Sequence, residues 1–329
     1  MGRPDPDRNR GTMSDSYYLG CDLGGTSLRV GAVSSTGELL GDVLSVPTGR
    51  EFGPDQLKAQ METLTHRVRR TLSDSHWRGV GFGTAGVIHE DGPLTHADNL
   101  PRLCGHSLRP LLEDSLGCPV VVENDARCFV LAESRFGAVR GCRNLLGATL
   151  GTGIGSGLMI NGKLLRGVSS QAGEVCHVPY KGRHLEYFLS VEGLLRAFAA
   201  AGGTPEGQDG ARLADLARAG SAPALAAWRA YGEDVAALCE FVVALVEPEA
   251  IVLGGSLAQA HDLFHDVITA RLGARRTRVV YAQLGPKAGV IGAAVLAMPK
   301  ERARAYRRSG SLTAMPPREA LKVKSGGVL

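Results

Sequence analysis

The sequence predicts an α/β protein made of two similar lobes around a cleft, and three observations lead there. First, "YYLGCDLGGTSLRVGAVSSTGELLGDVLSVPT" reads as three strands joined by short Gly-containing turns, a meander rather than a β–α–β unit. Second, the pattern restarts in "NLLGATLGTGIGSGLMINGKLLRG", again strand, Gly-rich turn, strand, turn, strand. Third, each meander is followed by helical periods that alternate with further apolar strands. A duplicated protein of this kind holds its ligand between the halves, with the Gly-rich turns facing the cleft.

A length of 329 residues suits about two domains, and 44% apolar with 21% charged residues describe an ordinary globular chain. The net charge is +4, and part of it sits in "KERARAYRR" at 300–308. That run reads as a solvated helix end, not a nucleic-acid patch. The seven cysteines are odd in number and include no CxxC pair, so no disulfide framework is expected and a reducing cytoplasm is. The N-terminal "MGRPDPDRNRGTMSDS" lacks the apolar core of a signal peptide. The longest uncharged run, Asn144 to Gly162, is rich in Gly, Thr and Ser and is no membrane span.

The elements follow in order. After the first meander, Leu57, Met61, Leu64, Val68 and Leu72 fall on one helical face. "GVGFGTAGVI" is the next strand, followed by an irregular stretch containing "HADNLP". "CPVVVEND" is a strand, and "ARCFVLAESRFG" a helix ending at Gly137. In the second half, Asn161-Gly162 signals a two-residue hairpin. Helices are expected over 188–246. The last of them sets Leu225, Trp228, Tyr231, Val235, Leu238, Val242 and Leu245 along one stripe, and Pro248 stops it. "AIVLGGS" is a strand running into a Gly pair and a helix, "TRVVYAQL" a strand, and "GVIGAAVLA" the opening of a last helix. The expected organisation is a disordered tail at 1–16, an N-terminal lobe at 17–135, a C-terminal lobe at 136–300 whose last helix is able to return to the N-terminal lobe, and a basic, disordered tail at 301–329.

Four stretches carry chemistry besides the strand–helix junction at Asp125, where an Asp is either a helix cap or a base held at the end of a rigid strand. In "CDLGGTSLR", Gly24 and Gly25 allow a tight turn with N–H groups offered to an anion, and Thr26 adds a hydroxyl. Arg29 can offset phosphate charge, and Asp22 can hold Mg²⁺ through water; a plain hairpin is the alternative. "LGTGIGSG" is no Rossmann fingerprint, because a strand follows it, and no Walker A loop, because no Gly-Lys-Ser/Thr follows. As the counterpart of the first turn, its Thr152 and Gly153 suggest a phosphate held from both sides. In "AGEVCH", Glu174 and His177 stand three apart, and Glu186 follows. Hydrogen bonding to a polyol is one reading and a surface turn another. Cys176, His177 and His184 are potential metal ligands, but their spacing matches no closed zinc site. Gly254 and Gly255 end a strand and suit close approach of a flat ring such as adenine, although an ordinary strand–turn–helix has the same form.

Taken together, "DLGGTSLRVG", "NLP", "ENDA", "LGTGIGSGLMINGKLLRG", "AGEVCH" and "IVLGGS" resemble, in order, the motifs of the ROK family. Its members are sugar kinases and related repressors on the actin-like ATPase (ribonuclease H-like) fold. The resemblance implies that Asp125 is the base that takes the proton of a sugar hydroxyl. It implies sugar contacts from Asn99, Asn124, Glu174, His177 and Glu186. Gly24, Gly25, Thr26, Thr152 and Gly153 would lie against the ATP phosphates, and Gly254 and Gly255 by the adenosine. ATP with Mg²⁺ and a homodimer are implied. So is a hexose kinase acting on the 6-hydroxyl of glucose, with fructose, mannose, an N-acetylated amino sugar or a non-catalytic sugar sensor as alternatives. Family members usually carry a CxCGxxGC zinc loop before the "LE" pair, although some family kinases lack it; "VPYKGRHLE" has no Cys, so zinc is not expected. The second Gly of the Gly-Glu-x-Gly-His signature is Cys176, which should alter the local packing. Regulators of the family place a helix-turn-helix before the first motif. The 16 residues before Tyr17 are too few for one, so no nucleic-acid partner is expected.

Overall fold

The computed structural model describes residues 16–72, 76–89 and 92–299. Apart from Ser16, the two polar tails lie outside the described residues, as does the basic run at 300–308. The first half runs β1 (Ser16–Leu23), β2 (Ser27–Ser34), β3 (Leu44–Pro47), α1 (Pro54–Thr71) and β4 (His76–Thr84). A small hairpin, β5 (Val87–Ile88) and β6 (Leu94–Thr95), leads to α2 (Leu108–Leu116), β7 (Val120–Asn124) and α3 (Asp125–Phe136). The second half begins with β8 (Leu145–Leu150), β9 (Ile154–Ile160) and β10 (Lys163–Leu164), then the hairpin β11 (Pro179–Tyr180) and β12 (Arg183–His184). Four helices follow: α4 (Leu185–Leu189), α5 (Val191–Ala200), α6 (Gly210–Arg218) and α7 (Ala222–Val246). The chain closes with β13 (Ala250–Gly254), α8 (His265–Leu272), β14 (Arg278–Tyr281) and α9 (Ala288–Ala297).

The duplication is visible in the sheets. One is ordered β3-β2-β1-β4-β7 and the other β10-β9-β8-β13-β14. In each, the meander is antiparallel and the later strands join parallel to its first strand. The β13 run "AIVLG" is buried at every residue, as a parallel strand covered on both faces must be. The β9–β10 turn places Asn161 at φ 53° and Gly162 at φ 76°, the paired left-handed conformation that Asn-Gly favours.

The two helices that matter most for the site cross between the halves. α3 follows the first half's last strand, yet packs on β8 and β9 of the second sheet; α9 packs on β1 and β4 of the first. Small residues make both approaches possible. A Cβ added to Gly20 or Gly81 would collide with the backbone carbonyls of Val290 or Ala293 on α9. A Cβ on Gly155 would lie 2.8 Å from Ala126 Cβ, and one on Gly147 2.6 Å from Val130 Cγ2, both on α3. Two of the glycines in "LGTGIGSG", Gly155 and Gly157, thus serve helix packing rather than a turn.

Some expectations are corrected. The strand predicted in "GVGFGTAGVI" stops at Thr84, because Gly86 turns the chain at φ 99° into the small hairpin. Helices begin at Leu185, before position 188, and the region divides into four. In α7, Trp228, Tyr231, Val235, Leu238 and Val242 are buried as the stripe predicts, but Leu225 and Leu245 near its ends are 45% and 81% exposed. No helix among the described residues is long and apolar enough to cross a membrane.

Candidate active site

The junction of β7 and α3 separates the two roles an Asp can play there. Asn124 is the N-cap: it has extended backbone, and its Oδ1 accepts the N–H of Arg127 at 3.1 Å. Its Nδ2 donates to the carbonyl of Gly86 at 3.1 Å. Asn124 is therefore a buried helix cap with one amide N–H and one oxygen lone pair engaged, which leaves a second of each. Asp125 is the first helical residue and is relieved of capping; its Oδ1 accepts the adjacent Ala126 N–H at 2.8 Å.

Asp125 shares a cleft of about 570 Å³ with Asp22, Arg29, Thr149, Gly254 and Gly255. Burial raises the Asp125 carboxyl to about 6, and the neighbouring charge of Asp22 pushes the same way. Backbone N–H groups and Arg29 pull it back. Asp22, on β1, is itself raised by burial, with Arg29 opposing. The two are register partners across β1 and β2, and Arg29 Nη2 binds Asp22 Oδ2. Arg29 Nη1 donates to the carbonyl of Pro286 at 2.9 Å, just before α9. Arg29 lines the cleft, but two of its donors are already committed to protein oxygens.

The first Gly-rich turn is held from the end of β3: Thr48 Oγ1 donates to Gly24 O at 2.8 Å and Thr48 N to Thr26 O at 3.0 Å. Neither Gly24 nor Gly25 has a left-handed φ, so the expected need for glycine's conformational freedom does not hold there. Gly25 is small for another reason: a Cβ would stand 2.5 Å from Asn99 Cβ. The turn and the exposed Asn99 are thus brought together.

The second turn carries an exposed Thr152 between Gly151 and Gly153. Glu186 reaches into it: its Oε1 accepts Ile154 N–H at 3.1 Å, and a Cβ at Gly153 would stand 2.5 Å from that oxygen. Glu186 was expected among the sugar contacts, but here its carboxylate lies against the Gly-rich turn. At the end of β13, Gly255 does need glycine, with φ 87° and a Cβ that would collide with Leu150 O. Gly254 faces Phe129 of α3.

Glu174 sits half-buried before a short 3₁₀ turn, Val175–His177, and burial lifts it to about 7, with Arg127 opposing. Cys176 is buried, its Sγ 4.0 Å from Glu174 Oε2, while His177 is exposed. The rings of His177 and His184 are 6.4 Å apart, and His184 Nδ1 donates to His177 O at 2.9 Å. Among the described residues no three His, Cys, Asp or Glu side chains gather as a metal site. Glu123, Arg127 and Arg166, none of them singled out by sequence, meet in an ion-pair cluster beside Asp125 in which Glu123 and Arg127 are buried and Arg166 is half-exposed. The i,i+4 spacing of Glu123 and Arg127 was the available signal.

The sequence pattern of the ROK family matches residues 18–300. A glucokinase of Streptomyces coelicolor is 30% identical over 315 residues, covering 85% of this chain and 96% of its own. The N-acetylgalactosamine kinase AgaK of a Shewanella species is 30% identical over 305 residues, covering 85% and 96%. Among solved structures, a ROK family glucokinase from Streptomyces griseus in complex with glucose and AMPPNP superposes with a TM-score of 0.71 at 27% identity, covering 85% of this chain and 98% of that one. With its two duplicated sheets around a carboxylate-lined cleft, the chain belongs to the ROK family and has the actin-like ATPase fold.

Proposed function

We propose that this protein is an ATP-dependent hexose kinase that transfers the γ-phosphoryl group of ATP to a sugar hydroxyl, the 6-hydroxyl of glucose before other acceptors. The observation that carries this reading is Asp125: a carboxylate free of capping, half-buried in the cleft and raised to about 6, close to the range a general base needs. The relatives that act on glucose and on N-acetylgalactosamine support the substrate class.

Phosphoryl transfer has a loose transition state, so positioning and charge dispersal do most of the work. Asp125 would accept the acceptor hydroxyl's proton as oxygen attacks phosphorus. Asn99, Asn124, Glu174 and His177 are the proposed sugar contacts. The turns at Gly24–Thr26 and Thr152–Gly153 would receive the phosphates, and Gly254–Gly255 the adenosine. Asp22 fits a magnesium role, since it lines the cleft and Arg29 takes up only its Oδ2. Mg²⁺ bound with ATP would offset charge on the phosphate oxygens. The same reading takes the protein as a cytoplasmic homodimer.

The test is ADP release with Mg-ATP against a panel of hexoses and N-acetylhexosamines. Turnover on one sugar establishes the kinase and names its acceptor. Binding of a sugar without turnover by folded protein would replace the kinase with a sensor.

A further inference from the structure

Arg127 is a charged side chain almost out of reach of water, 1% exposed, on α3 two residues past Asp125. Its Nη1 donates to Glu123 Oε1 at 3.2 Å. Its Nη2 donates to the carbonyls of Ser170 at 2.7 Å and Ala172 at 3.5 Å. Glu123, equally buried, takes Arg166 on its other oxygen, from Nε at 2.8 Å and Nη2 at 2.7 Å. Its Oε1 also accepts Asn124 N–H at 3.0 Å. The cluster therefore ties segment 166–172 to the strand–helix junction that carries Asp125. Beyond that segment, Ser156 on β9 donates to Gly173 O at 2.7 Å and accepts Val175 N–H at 3.0 Å. Glu174 lies between these two anchors. Gly157 on β9 leaves room for the arginine stem, since a Cβ there would be 3.1 Å from Arg127 Cγ.

Stability alone does not account for this arrangement. Burying a charged pair costs several kcal/mol per ion, and an apolar replacement of similar volume is often neutral or stabilising. Arg127 Nε adds to the cost, because it is buried without a hydrogen-bond partner among the described residues. An apolar side chain could fill the space. It could not hold two carbonyls of one loop while pairing with the residue that leads into Asn124 and Asp125.

We infer that Arg127, braced by Glu123 and Arg166, is a positioning residue that sets the spacing between Glu174 and Asp125, and thereby the fit of the sugar acceptor to its base. This rests on the proposed roles of Glu174 as an acceptor contact and Asp125 as the base. Those two carboxylates belong to different elements, and a misplacement of about 1 Å in such a pair costs on the order of a hundredfold in rate.

The test is Arg127→Met, which keeps the stem's bulk and removes the donors. The variant is expected to fold and to lose about 10- to 100-fold in kcat/KM for sugar, in both KM and kcat, while the KM for ATP stays within about twofold. In hydrogen exchange, the amides of Ala172 and Glu174, which donate to Arg166 O at 3.0 Å and Gln171 O at 3.2 Å, should exchange faster, with the β8–β9 ladder unchanged. If Arg127→Met fails to fold because Glu123 loses its buried partner, the double variant Glu123→Gln/Arg127→Met carries the same measurements. A folded variant with wild-type sugar kinetics and wild-type exchange over 166–175 overturns the inference. So does a rise in the KM for ATP as large as that for sugar. Absence of turnover in the wild-type protein overturns the kinase reading instead, and the exchange comparison then decides by itself whether Arg127 holds the loop.

Discussion

Gly292 of α9 rests on the backbone of α3 at Cys128, so closely that a Cβ at position 292 would collide with the Cys128 carbonyl. This crossing joins the two ends of the site. α3 begins at Asp125, and α9 begins beside Asp22, where a Cβ on Gly289 would strike the Asp22 carboxylate. The obstacle at 292 is backbone and cannot swing aside. Gly292→Ala is therefore expected to separate the helices and destabilise by about 1–3 kcal/mol or more, as overpacking of a tight core does. The check is thermal unfolding, with a Tm lowered by roughly 3 °C or more for a chain of this size. An unchanged Tm would mean that the helices do not meet this closely.

Gly24→Ala is the contrasting case. Its φ is not left-handed, and an added Cβ would make only ordinary contact, 3.7 Å from Ser27 O. The fold should tolerate it within about 0.5 kcal/mol. If this turn receives phosphate, the KM for ATP should rise while the sugar KM does not. Equal kinetics in the folded variant would leave the first turn without a phosphate role.

How much of this was legible in the sequence depends on the range of the interaction. The two meanders, the Asn161-Gly162 turn and α3, which starts one residue earlier than expected, at Asp125, follow from local patterns. The roles of the glycines were not legible, since Gly20, Gly81, Gly155 and Gly292 are small because of helices distant in sequence. Asp125 read equally well as cap or base until the Arg127 N–H was seen to be capped by Asn124, one residue earlier. Glu186 lies next to Leu185 in the sequence, and only the fold brings it to Ile154, 32 residues away.

That position of Glu186 separates two roles. A sugar contact would register in the sugar KM, whereas a carboxylate bracing the Gly153–Ile154 turn would register in the KM for ATP. With the side chain where it is, Glu186→Ala is expected to raise the KM for ATP by about tenfold, the scale of one lost hydrogen bond to a charged group. Asn99→Ala, beside the first turn, is expected to act on the sugar KM. A Glu186→Ala effect confined to sugar would restore the role implied by the family resemblance.

Asp125→Asn tests the base and its environment together. The amide keeps an acceptor for Ala126 N–H, so the variant should fold and lose at least about a hundredfold in kcat. Stability should move the other way. The folded carboxyl is raised to about 6, above its unfolded value, so its contribution is most favourable at low pH and is lost as pH rises through about 6. Asn removes that penalty. Its gain over wild type should be absent below about pH 4, appear between about pH 4 and 6, and be complete above. Unfolding scans of both proteins at pH 4 and pH 8 measure it, and a variant less stable at pH 8 would contradict the buried-carboxylate account.

Arg29 gives the last prediction its sign. In wild-type protein the base must be ionised, so kcat/KM should fall as pH drops through about 6. Arg29 favours the ionised form of both Asp22 and Asp125. Replacing it by Met removes a positive charge from beside two carboxylates, stabilises their neutral forms and should move the acid limb of kcat/KM upward in pH. The same change releases Pro286 O from the arginine, so kcat at the pH plateau is expected to fall as well. The two effects separate in a full pH profile, because loss of anchoring lowers the plateau, whereas loss of charge shifts the limb. A limb that stays near 6 in Arg29→Met would show that the group titrating there is not Asp125.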